Sequence, residues 1–302
     1  MKQAFSQNRK KHDIIFCLLV LLVPMVQFAI FYIGVNITSL AMVFQKYEVD
    51  PITNRGAYIF NGLNNFKDMW FQIENEGVFG TALKNSLLAF VMITLVGITF
   101  ALIFSLYIFK EMPGAGMFRV LLFAPSILSA SVTVTIYRFF VEGAVPVIFG
   151  LEQGLLGNAE TKLGTIIFFN IWIGFGTQIL MYSGAMNGID PSITEAAKLD
   201  GANPFVEFFY IILPLIFPTI QTFLVTGVAG IFINQINLVA FEGFGAEGQY
   251  MTVGYYLFKN TESATQYEYP LLATYGVALT LIAAPLTLLT RRALEKFGPS
   301  VD

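Results

Sequence analysis

Residues 190–214 read DPSITEAAKLDGANPFVEFFYIILP and carry the signals that begin and end a short helix. Asp190 can accept hydrogen bonds from the first free N–H groups of a helix, and Pro191 suits the first helical position. Gly201 suits the left-handed residue that ends a helix. The spacing therefore predicts a helix of about ten residues, about 15 Å long, and the Asn-Pro pair that follows repeats the start signal.

The predicted helix offers an unusual surface. Ser192 with Glu195 forms an alternative capping box at its start. One side is predicted to carry Ile193, Ala196, Ala197 and Asp200. Small side chains let another backbone approach closely, whereas a helix that rests on lipid headgroups usually shows large apolar residues and several cations. Because the helix has two alanines and one lysine, we expect it to dock to a protein.

The composition around this helix is that of a membrane protein. The 302 residues are 56% apolar and 12% charged, far from the roughly 45 to 50% and 25% of soluble domains. A net charge of -3 gives no reason to expect a nucleic-acid partner. One cysteine and one histidine cannot form a disulfide within the chain or a site with several histidine or cysteine ligands, so we predict no metal site.

Charge-free apolar runs of about 17 to 25 residues predict an all-α integral membrane protein with six transmembrane helices. The predicted spans are 14–35, 86–109, 120–137, 163–186, 208–234 and 270–290. The excess of lysine and arginine in alternate short loops places both termini in the cytoplasm. We interpret the first run as an anchor and not a cleaved signal, because it is about twice as long as a signal's apolar region and does not end in small residues.

The loops predict how the chain is organised. Residues 1–302 are expected to form a single transmembrane domain. Segment 36–85 is polar and rich in asparagine, so we expect an extracytoplasmic loop that caps the bundle. Segment 187–207 is expected to lie in the cytoplasm and to contain the short helix described above.

The same segment resembles the cytoplasmic EAA signature of binding-protein-dependent ABC importer permeases. Glu195-Ala196-Ala197, three residues, Gly201, nine residues and then Ile211-Ile212-Leu213-Pro214 match that signature in full. Asp200-Gly201-Ala202 is similar to the carbohydrate branch. Gly62-Leu63, Asn65-Phe66, Ala82-Leu83 and Asn85-Ser86 resemble the first permease subunit of maltose- and glycerol-phosphate-type systems. The resemblance covers roughly residues 14–295.

The resemblance implies a type I ABC importer permease fold in a bacterial plasma membrane. It implies a heterodimer with a second permease subunit, two ATPase subunits that bind ATP and magnesium, and an extracytoplasmic solute-binding protein. It also implies that the short helix couples the permease to the ATPase, through Ser192, Glu195, Ala196, Ala197, Lys198, Leu199, Asp200, Gly201 and Pro214. One departure is the loop at 241–248, which reads FEGFGAEG where the family usually has Gly-Gly-Pro.

Several activities lack their sequence signals. No Gly-Lys dipeptide occurs, so the chain has no P-loop, and neither a Gly-x-Ser-x-Gly nor a His-Glu-x-x-His motif is present. We therefore predict no catalytic residues and no cofactor on this chain. The predicted spans hold no Asp, Glu, Lys or Arg, which disfavours an ion-coupled secondary carrier. A channel is disfavoured because no filter-like repeat or charged ring is present.

Polar and aromatic side chains in the spans are candidates for the solute path. They are Tyr137, Asn170, Trp172, Gln178, Asn234, Gln235 and Asn237. Such groups suit a neutral, hydroxyl-rich solute, although polar residues in membrane helices also commonly bond neighbouring helices. The sequence thus predicts one permease subunit of an ATP-driven importer for a sugar or oligosaccharide. The alternatives are a permease for glycerol-phosphate or a peptide, or an ion-coupled carrier.

Overall fold

The computed structural model describes residues 2–299, with side chains described for residues 14–75 and 77–299. Helices make up most of this part of the chain. The α-helices are α1 Lys2–Gln27, α2 Val35–Met42, α3 Asn64–Glu76, α4 Val78–Val91, α5 Gly97–Phe109, α6 Ala115–Ile127, α7 Ala130–Phe139, α8 Val145–Phe149, α9 Lys162–Asn187, α10 Pro191–Leu199, α11 Pro204–Glu207, α12 Leu213–Ala229, α13 Leu238–Glu242, α14 Val253–Ser263 and α15 Tyr269–Phe297. The π-helical turns are Phe28–Gly34, Met92–Val96, Phe140–Ala144 and Phe208–Ile212, and Gly248–Tyr250 is a 3₁₀ turn.

Six helices within residues 2–299 are long and apolar enough to cross a membrane. They are Ile14–Met42, Val78–Phe109, Ala130–Phe149, Lys162–Asn187, Pro204–Ala229 and Tyr269–Phe297. This number confirms the expected six spans. Internal contacts divide the chain into two compact units, Met1–Gln72 with Ser263–Ala278 and Ile73–Glu262 with Leu279–Asp302.

In the first unit, the first span is longer than the predicted 14–35. It continues to Met42 because its polar side chains bond within the helix: Asn36 donates to the Tyr32 carbonyl (2.7 Å) and Thr38 to the Gly34 carbonyl (3.0 Å). An antiparallel hairpin follows, with β1 Gln45–Val49 paired to β2 Gly56–Phe60. The segment between the first two spans is therefore 43–77 and not the predicted 36–85. A hairpin and a helix make up most of this segment.

In the second unit, the second span begins at Val78 and not at the predicted residue 86. The helix can start early because its polar residues are bonded inside the protein. Asn85 donates to the carbonyls of Gln249 (2.8 Å) and Met251 (2.9 Å), and the Ser86 hydroxyl accepts the Val253 N–H (2.9 Å). Hydropathy alone does not register such partners.

The third predicted span, 120–137, is wrong as a single helix. Leu128 and Ser129 are extended (ψ 154° and 148°) and separate α6 from α7. Two features of α6 weaken its last turn: Pro125 lacks an N–H, and Ser126 bonds back to the Phe123 carbonyl (2.7 Å). The helix long enough to span is Ala130–Phe149.

The remaining boundaries differ by smaller amounts. Lys162–Asn187 agrees with the predicted 163–186 within one residue at each end. The predicted 208–234 is wrong at its end, because helix α12 stops at Ala229 and residues 230–237 are irregular. The last span extends beyond the predicted residue 290, and Arg291 there pairs with Glu295 one turn later (2.7 Å).

A buried ion pair joins two turns of the second unit. Lys110, just after the second span, contacts Glu207 of α11 at 2.5 Å. The Glu207 side chain is only 4% exposed, so its carboxylate depends on this lysine for compensation. The turn at 110–114 and the segment 187–207 therefore lie at the same end of this unit.

We expect Lys110→Met to destabilise the protein by about 3 kcal/mol, because it leaves the Glu207 carboxylate buried without a counter-charge. The double variant Lys110→Met with Glu207→Leu should recover much of that loss. Arg291→Met, which breaks an exposed pair, is the control and should cost less than about 0.5 kcal/mol. Unfolding midpoints in detergent measure the stability of all three variants. Equal losses of stability in Lys110→Met and Arg291→Met would contradict the conclusion that Lys110 compensates a buried carboxylate.

Candidate functional site: the short loop helix and a polar cavity

Helix α10 is capped at both ends as the sequence predicts. The Asp190 carboxylate accepts the Ser192 N–H (2.9 Å), so Asp190 is the cap and the alternative capping box is not used. Gly201 is left-handed (φ +82°), with its N–H bonded to the Lys198 carbonyl (3.1 Å). The next N–H, of Ala202, bonds the Ala197 carbonyl (2.9 Å), which completes a Schellman motif.

The cap also fixes the charge at the start of the helix. The hydrogen bond from the Ser192 N–H, followed by that from its hydroxyl, holds the pKa of the Asp190 carboxyl below its ordinary value. Asp190 is therefore ionised at neutral pH. A negative charge at this position also suits the positive end of the helix dipole.

The predicted face of α10 is wrong at one position. Ala197 is buried and Thr194 is half-buried, whereas Ile193, Ala196 and Asp200 of the predicted face are exposed. One exposed stripe, with i, i+3, i+4, i+7 spacing, consists of Ser192, Glu195, Ala196 and Leu199. Ile193, Lys198 and Asp200 beside it are exposed too.

Leu199 is the residue of this stripe whose exposure the sequence reasoning missed. Its side chain is 89% exposed, at the last position of the helix. Helical spacing from Ser192 and Ala196 gave a signal that could have found it. A leucine displayed in this way, on a helix held rigid by its caps, suits insertion into a groove of a protein partner.

The segment after α10 leads into the fifth span. Asn203 accepts the Val206 N–H (2.9 Å) and caps α11. The π-helical turn Phe208–Ile212 then precedes Pro214, the second residue of α12. A widened turn accommodates the proline, which cannot donate a backbone hydrogen bond.

A cavity of about 250 Å³ lies between the second, fourth and fifth spans. Its lining contains no charged residue and consists of Ser86, Ala89, Phe90, Ile93, Thr94, Ile98, Gln178, Phe223, Thr226, Gly227, Gly230, Ile231 and Asn234. Sequence reasoning named Gln178 and Asn234 and missed the hydroxyls of Ser86, Thr94 and Thr226, since single hydroxyls in apolar runs give little signal.

Two buried polar groups of this region lack partners. Within the described part of the chain, Gln178 Oε1 and the Tyr182 hydroxyl have no hydrogen-bond partner. The two groups lie one turn apart on α9. The ring of Phe223, which lines the cavity, packs edge-on against the Tyr182 ring, with 5.2 Å between the ring centroids. Buried polar groups are normally paired. The Gln178 carbonyl oxygen is therefore buried as well as unpaired, and it lies 3.8 Å from the position that a Cβ would take on Gly97.

An open groove adjoins the irregular segment after α12. Its volume is about 630 Å³, and its lining is again uncharged: Ala130, Ser131, Gly230, Ile233, Asn234, Gln235, Ile236, Asn237, Val239 and Ala240. Asn234 and Gly230 border both the groove and the cavity. The structure therefore brings the predicted Asn234, Gln235 and Asn237 together at one wall.

The other predicted path residues lie in packed surroundings. Asn170 donates to the carbonyls of Ile166 (2.8 Å) and Ile236 (2.9 Å), and accepts from the Asn237 side chain (2.8 Å). Tyr137 donates to the Thr165 carbonyl (3.0 Å). The rings of Tyr137, Phe169, Trp172 and Phe241 pack together. Tyr137, Asn170 and Trp172 thus line neither the cavity nor the groove.

A charge cluster fixes the loop where the family's Gly-Gly-Pro would stand. Glu242 contacts Arg138 of the third span (3.4 Å) and Lys162 at the start of the fourth (3.2 Å). Arg138 also donates to the Phe241 carbonyl (2.6 Å). Among the described residues, no group of three or more His, Cys, Asp or Glu side chains is placed to hold a metal ion.

Known proteins similar to this chain are transport permeases. Residues 81–302 match the family described as binding-protein-dependent transport system inner membrane component. The lactose transport system permease protein LacF of Rhizobium radiobacter is 26% identical over 269 residues, which cover 84% of this chain and 88% of LacF. The sn-glycerol-3-phosphate transport system permease protein UgpA of Escherichia coli O6:K15:H31 (strain 536 / UPEC) is 24% identical over 261 residues, covering 84% and 86%.

A solved structure shares the fold. One chain of a bacterial alginate ABC transporter, in complex with an alginate pentasaccharide-bound periplasmic protein, superposes with a TM-score of 0.76 at 19% identity. The match covers 97% of this chain and 99% of the other.

We expect Asn170→Ala to lower the free energy of unfolding by about 2 to 4 kcal/mol, because it removes the two hydrogen bonds that hold residues 236 and 237 and a third to Ile166 of its own helix. Gln235→Ala, on the groove wall nearby, is the matched control and should change stability by less than about 0.5 kcal/mol. Denaturation in detergent compares them. A stable Asn170 variant would show that this residue does not hold the irregular segment.

Proposed function

Because this chain belongs to the family of binding-protein-dependent transport system inner membrane components, we propose that it is the permease subunit of an ATP-driven importer for a neutral sugar or oligosaccharide. It lies in the bacterial inner membrane as a multi-pass protein, and its relatives are transport permeases, not enzymes. The observation that carries the proposal is α10. This helix is capped at both ends, seated by Ala197 and exposed along Ser192, Glu195, Ala196 and Leu199.

The proposed partner of α10 is a separate ATPase subunit on the cytoplasmic side. The chain has no P-loop, so ATP and magnesium are proposed to bind the ATPase. Ala197 is the one residue of α10 that is buried, so most of the surface of the helix is exposed and can contact a partner. Gly201 and Lys198 at its end, and Asp190 at its start, are proposed to keep the helix rigid so that it moves as one body.

Two further partners complete the proposed assembly. A second permease subunit is proposed to supply the other half of the path. An extracytoplasmic binding protein is proposed to deliver the solute, since the alginate transporter with the same fold carries a periplasmic protein. The membrane lipid surrounds the apolar spans, and no nucleic acid is involved.

The proposed solute class follows from the lining of the cavity and the groove. Neither lining contains a charged side chain, and both present amides and hydroxyls. Such groups pair with sugar hydroxyls, whereas an anion would require a desolvated cation nearby. Arg138 and Lys162 are the cations at the Glu242 cluster, and both contact that carboxylate. This favours a neutral sugar over the anionic glycerol-phosphate named for UgpA.

The ion-coupled carrier remains the rival from another class. The observed helices include charged residues that the shorter predicted spans left out, among them Lys84, Arg138 and Glu207. Lys84 and Glu207 lie in the first quarter of their spans, and Glu207 contacts Lys110. Arg138 lies near the middle of the third span Ala130–Phe149, where it donates to the Phe241 carbonyl and contacts Glu242. Carriers usually place an ionisable group near the middle of the membrane. Uptake that persists without an ATPase would support the carrier.

The proposed mechanism is alternating access. Closure of the ATPase dimer moves α10, and the motion passes through α11 and the turn before Pro214 into the fifth span. Gly227 of that span packs against Thr94, since a Cβ added there would lie 2.8 Å from the Thr94 hydroxyl. A shift of the fifth span therefore displaces the cavity wall.

Gly201→Asp should reduce solute-stimulated ATP hydrolysis and uptake at least about tenfold, because a side chain at φ +82° is strained and the helix end is lost. Gly201→Asn should retain more activity, since asparagine and aspartate tolerate the left-handed region alike but asparagine adds no negative charge at the negative end of the helix dipole. Gly116→Asp is the control, because Gly116 is exposed in α6 with open space around it. Co-purification with the ATPase and hydrolysis assays measure the effect; an unaffected Gly201→Asp transporter would exclude the coupling role.

Gln178→Leu should lower sugar uptake about tenfold at subsaturating solute, because it replaces the amide side chain that lines the cavity, worth about 1 to 1.5 kcal/mol as a hydrogen-bonding partner, with an apolar group of similar volume. ATPase co-purification should be unchanged, which separates this effect from a failure of coupling. Met181→Leu, on the exposed side of the same helix, is the control. Normal uptake and solute preference in Gln178→Leu would place the path elsewhere.

A further inference from the structure

Large apolar side chains are exposed just after the first span. Phe60 at the end of β2 is 80% exposed, and Trp70 and Phe71 of α3 are 60% and 67% exposed. Leu63, before α3, is also exposed. These four residues are called the aromatic edge below. Exposed apolar side chains in such number mark a surface that meets something other than water.

Helix α3 is held at the end of the first span. Asn65, which is buried, donates to the carbonyls of Val43 (2.8 Å) and Gln45 (2.7 Å). These carbonyls belong to the first residues after Met42, where the span ends. The first turn of α3 therefore lies where the chain leaves the hydrocarbon.

The middle of α3 is held at the start of the last span. The Tyr275 hydroxyl contacts the Met69 carbonyl (3.4 Å) and the Gln72 side chain (3.3 Å). Tyr275 lies six residues after the first residue of α15, about 9 Å along the helix. Two independent contacts thus set α3 at the level where two spans begin or end.

We infer that the aromatic edge is a membrane-interface anchor, with Trp70 and Phe71 inserted among the lipid headgroups and upper acyl chains of the outer leaflet. Tryptophan favours this zone because its ring is apolar and its N–H can bond water or headgroups. The apolar window of the first span, which ends just before the carbonyls that Asn65 holds, is wholly unburied.

The pattern along α3 sets the depth of the anchor. Leu63, Lys67, Trp70 and Glu74 recur at i, i+4, i+7 and i+11 and are all exposed, so apolar and charged residues alternate along one face. A face with charges at every second position cannot enter the hydrocarbon core and suits the headgroup layer. The inference rests on the membrane spans and not on the transported solute or the ATPase.

The chain contains two tryptophans, so Trp172→Phe leaves Trp70 as the sole indole of this chain. The emission of the other subunits is measured on a transporter in which both tryptophans of this chain are replaced by phenylalanine, and it is subtracted. We would reconstitute the full transporter carrying this variant into vesicles that contain lipids brominated near the ester carbonyl or near the methyl end. We expect the carbonyl-proximal bromines to remove about half of the Trp70 emission and the deep bromines distinctly less. Trp70→Phe, which leaves the half-buried Trp172, is the matched control and should be quenched weakly by both.

Three outcomes would overturn the inference. Quenching by aqueous iodide at the rate of a free indole, without lipid quenching, would place Trp70 in water. Protection from iodide and from both lipids would show that a protein partner covers the edge. Stronger quenching by the deep bromines would place the ring in the hydrocarbon core. None of these outcomes depends on uptake or hydrolysis, so the proposed function stands or falls separately.

Discussion

Buried asparagine amides hold the non-helical segments of this protein to its helices. The bilayer offers no water to satisfy a backbone carbonyl, so each carbonyl outside a regular helix needs an internal donor. Three asparagines, one in each of three helices, give both amide hydrogens to backbone carbonyls. The bonds are Asn65 to Val43 and Gln45, Asn85 to Gln249 and Met251, and Asn170 to Ile166 and Ile236. One planar amide thus fixes two carbonyls at once.

The segment 230–237 shows why this constraint matters for function. It is irregular and borders both the cavity and the groove. Asn170 holds its far end, the Thr252 hydroxyl donates to the Asn234 carbonyl (2.8 Å), and Gly254 lies so close that a Cβ would be 2.5 Å from the Ile233 carbonyl. Non-helical backbone at this depth is stable only because protein surrounds it and satisfies it. The same fixation positions the Asn234 side chain at the cavity wall.

The sequence predicts the spans well and the polar details poorly. Hydropathy identifies the fourth span nearly to the residue, because its ends coincide with charged or turn residues. It misplaces the start of the second span because the charge-free run begins only after Lys84, whereas the helix already starts at Val78. The partners of Asn85 and Ser86 at 249–253, which help to hold this part of the helix, are not visible in the sequence. The sequence does not distinguish an amide that packs inside the protein, such as Asn170, from one that lines the cavity, such as Gln178. The difference depends on which backbone carbonyls lie near each amide in the folded chain.

Helix α10 and the cavity are joined by one continuous stretch of chain. The stretch from Pro204 to Ala229 is helical throughout, with a π-turn before Pro214, and it leads directly into Asn234. Near its start, the Lys110–Glu207 pair holds this stretch to the second span. Near its end, Gly227 contacts Thr94 of the same span. Tilting such a rod about the ion pair moves its far end most, because displacement grows with distance from the pivot. The residues displaced furthest are then those at the cavity end of the rod, so a movement of α10 about this pivot would displace the cavity wall.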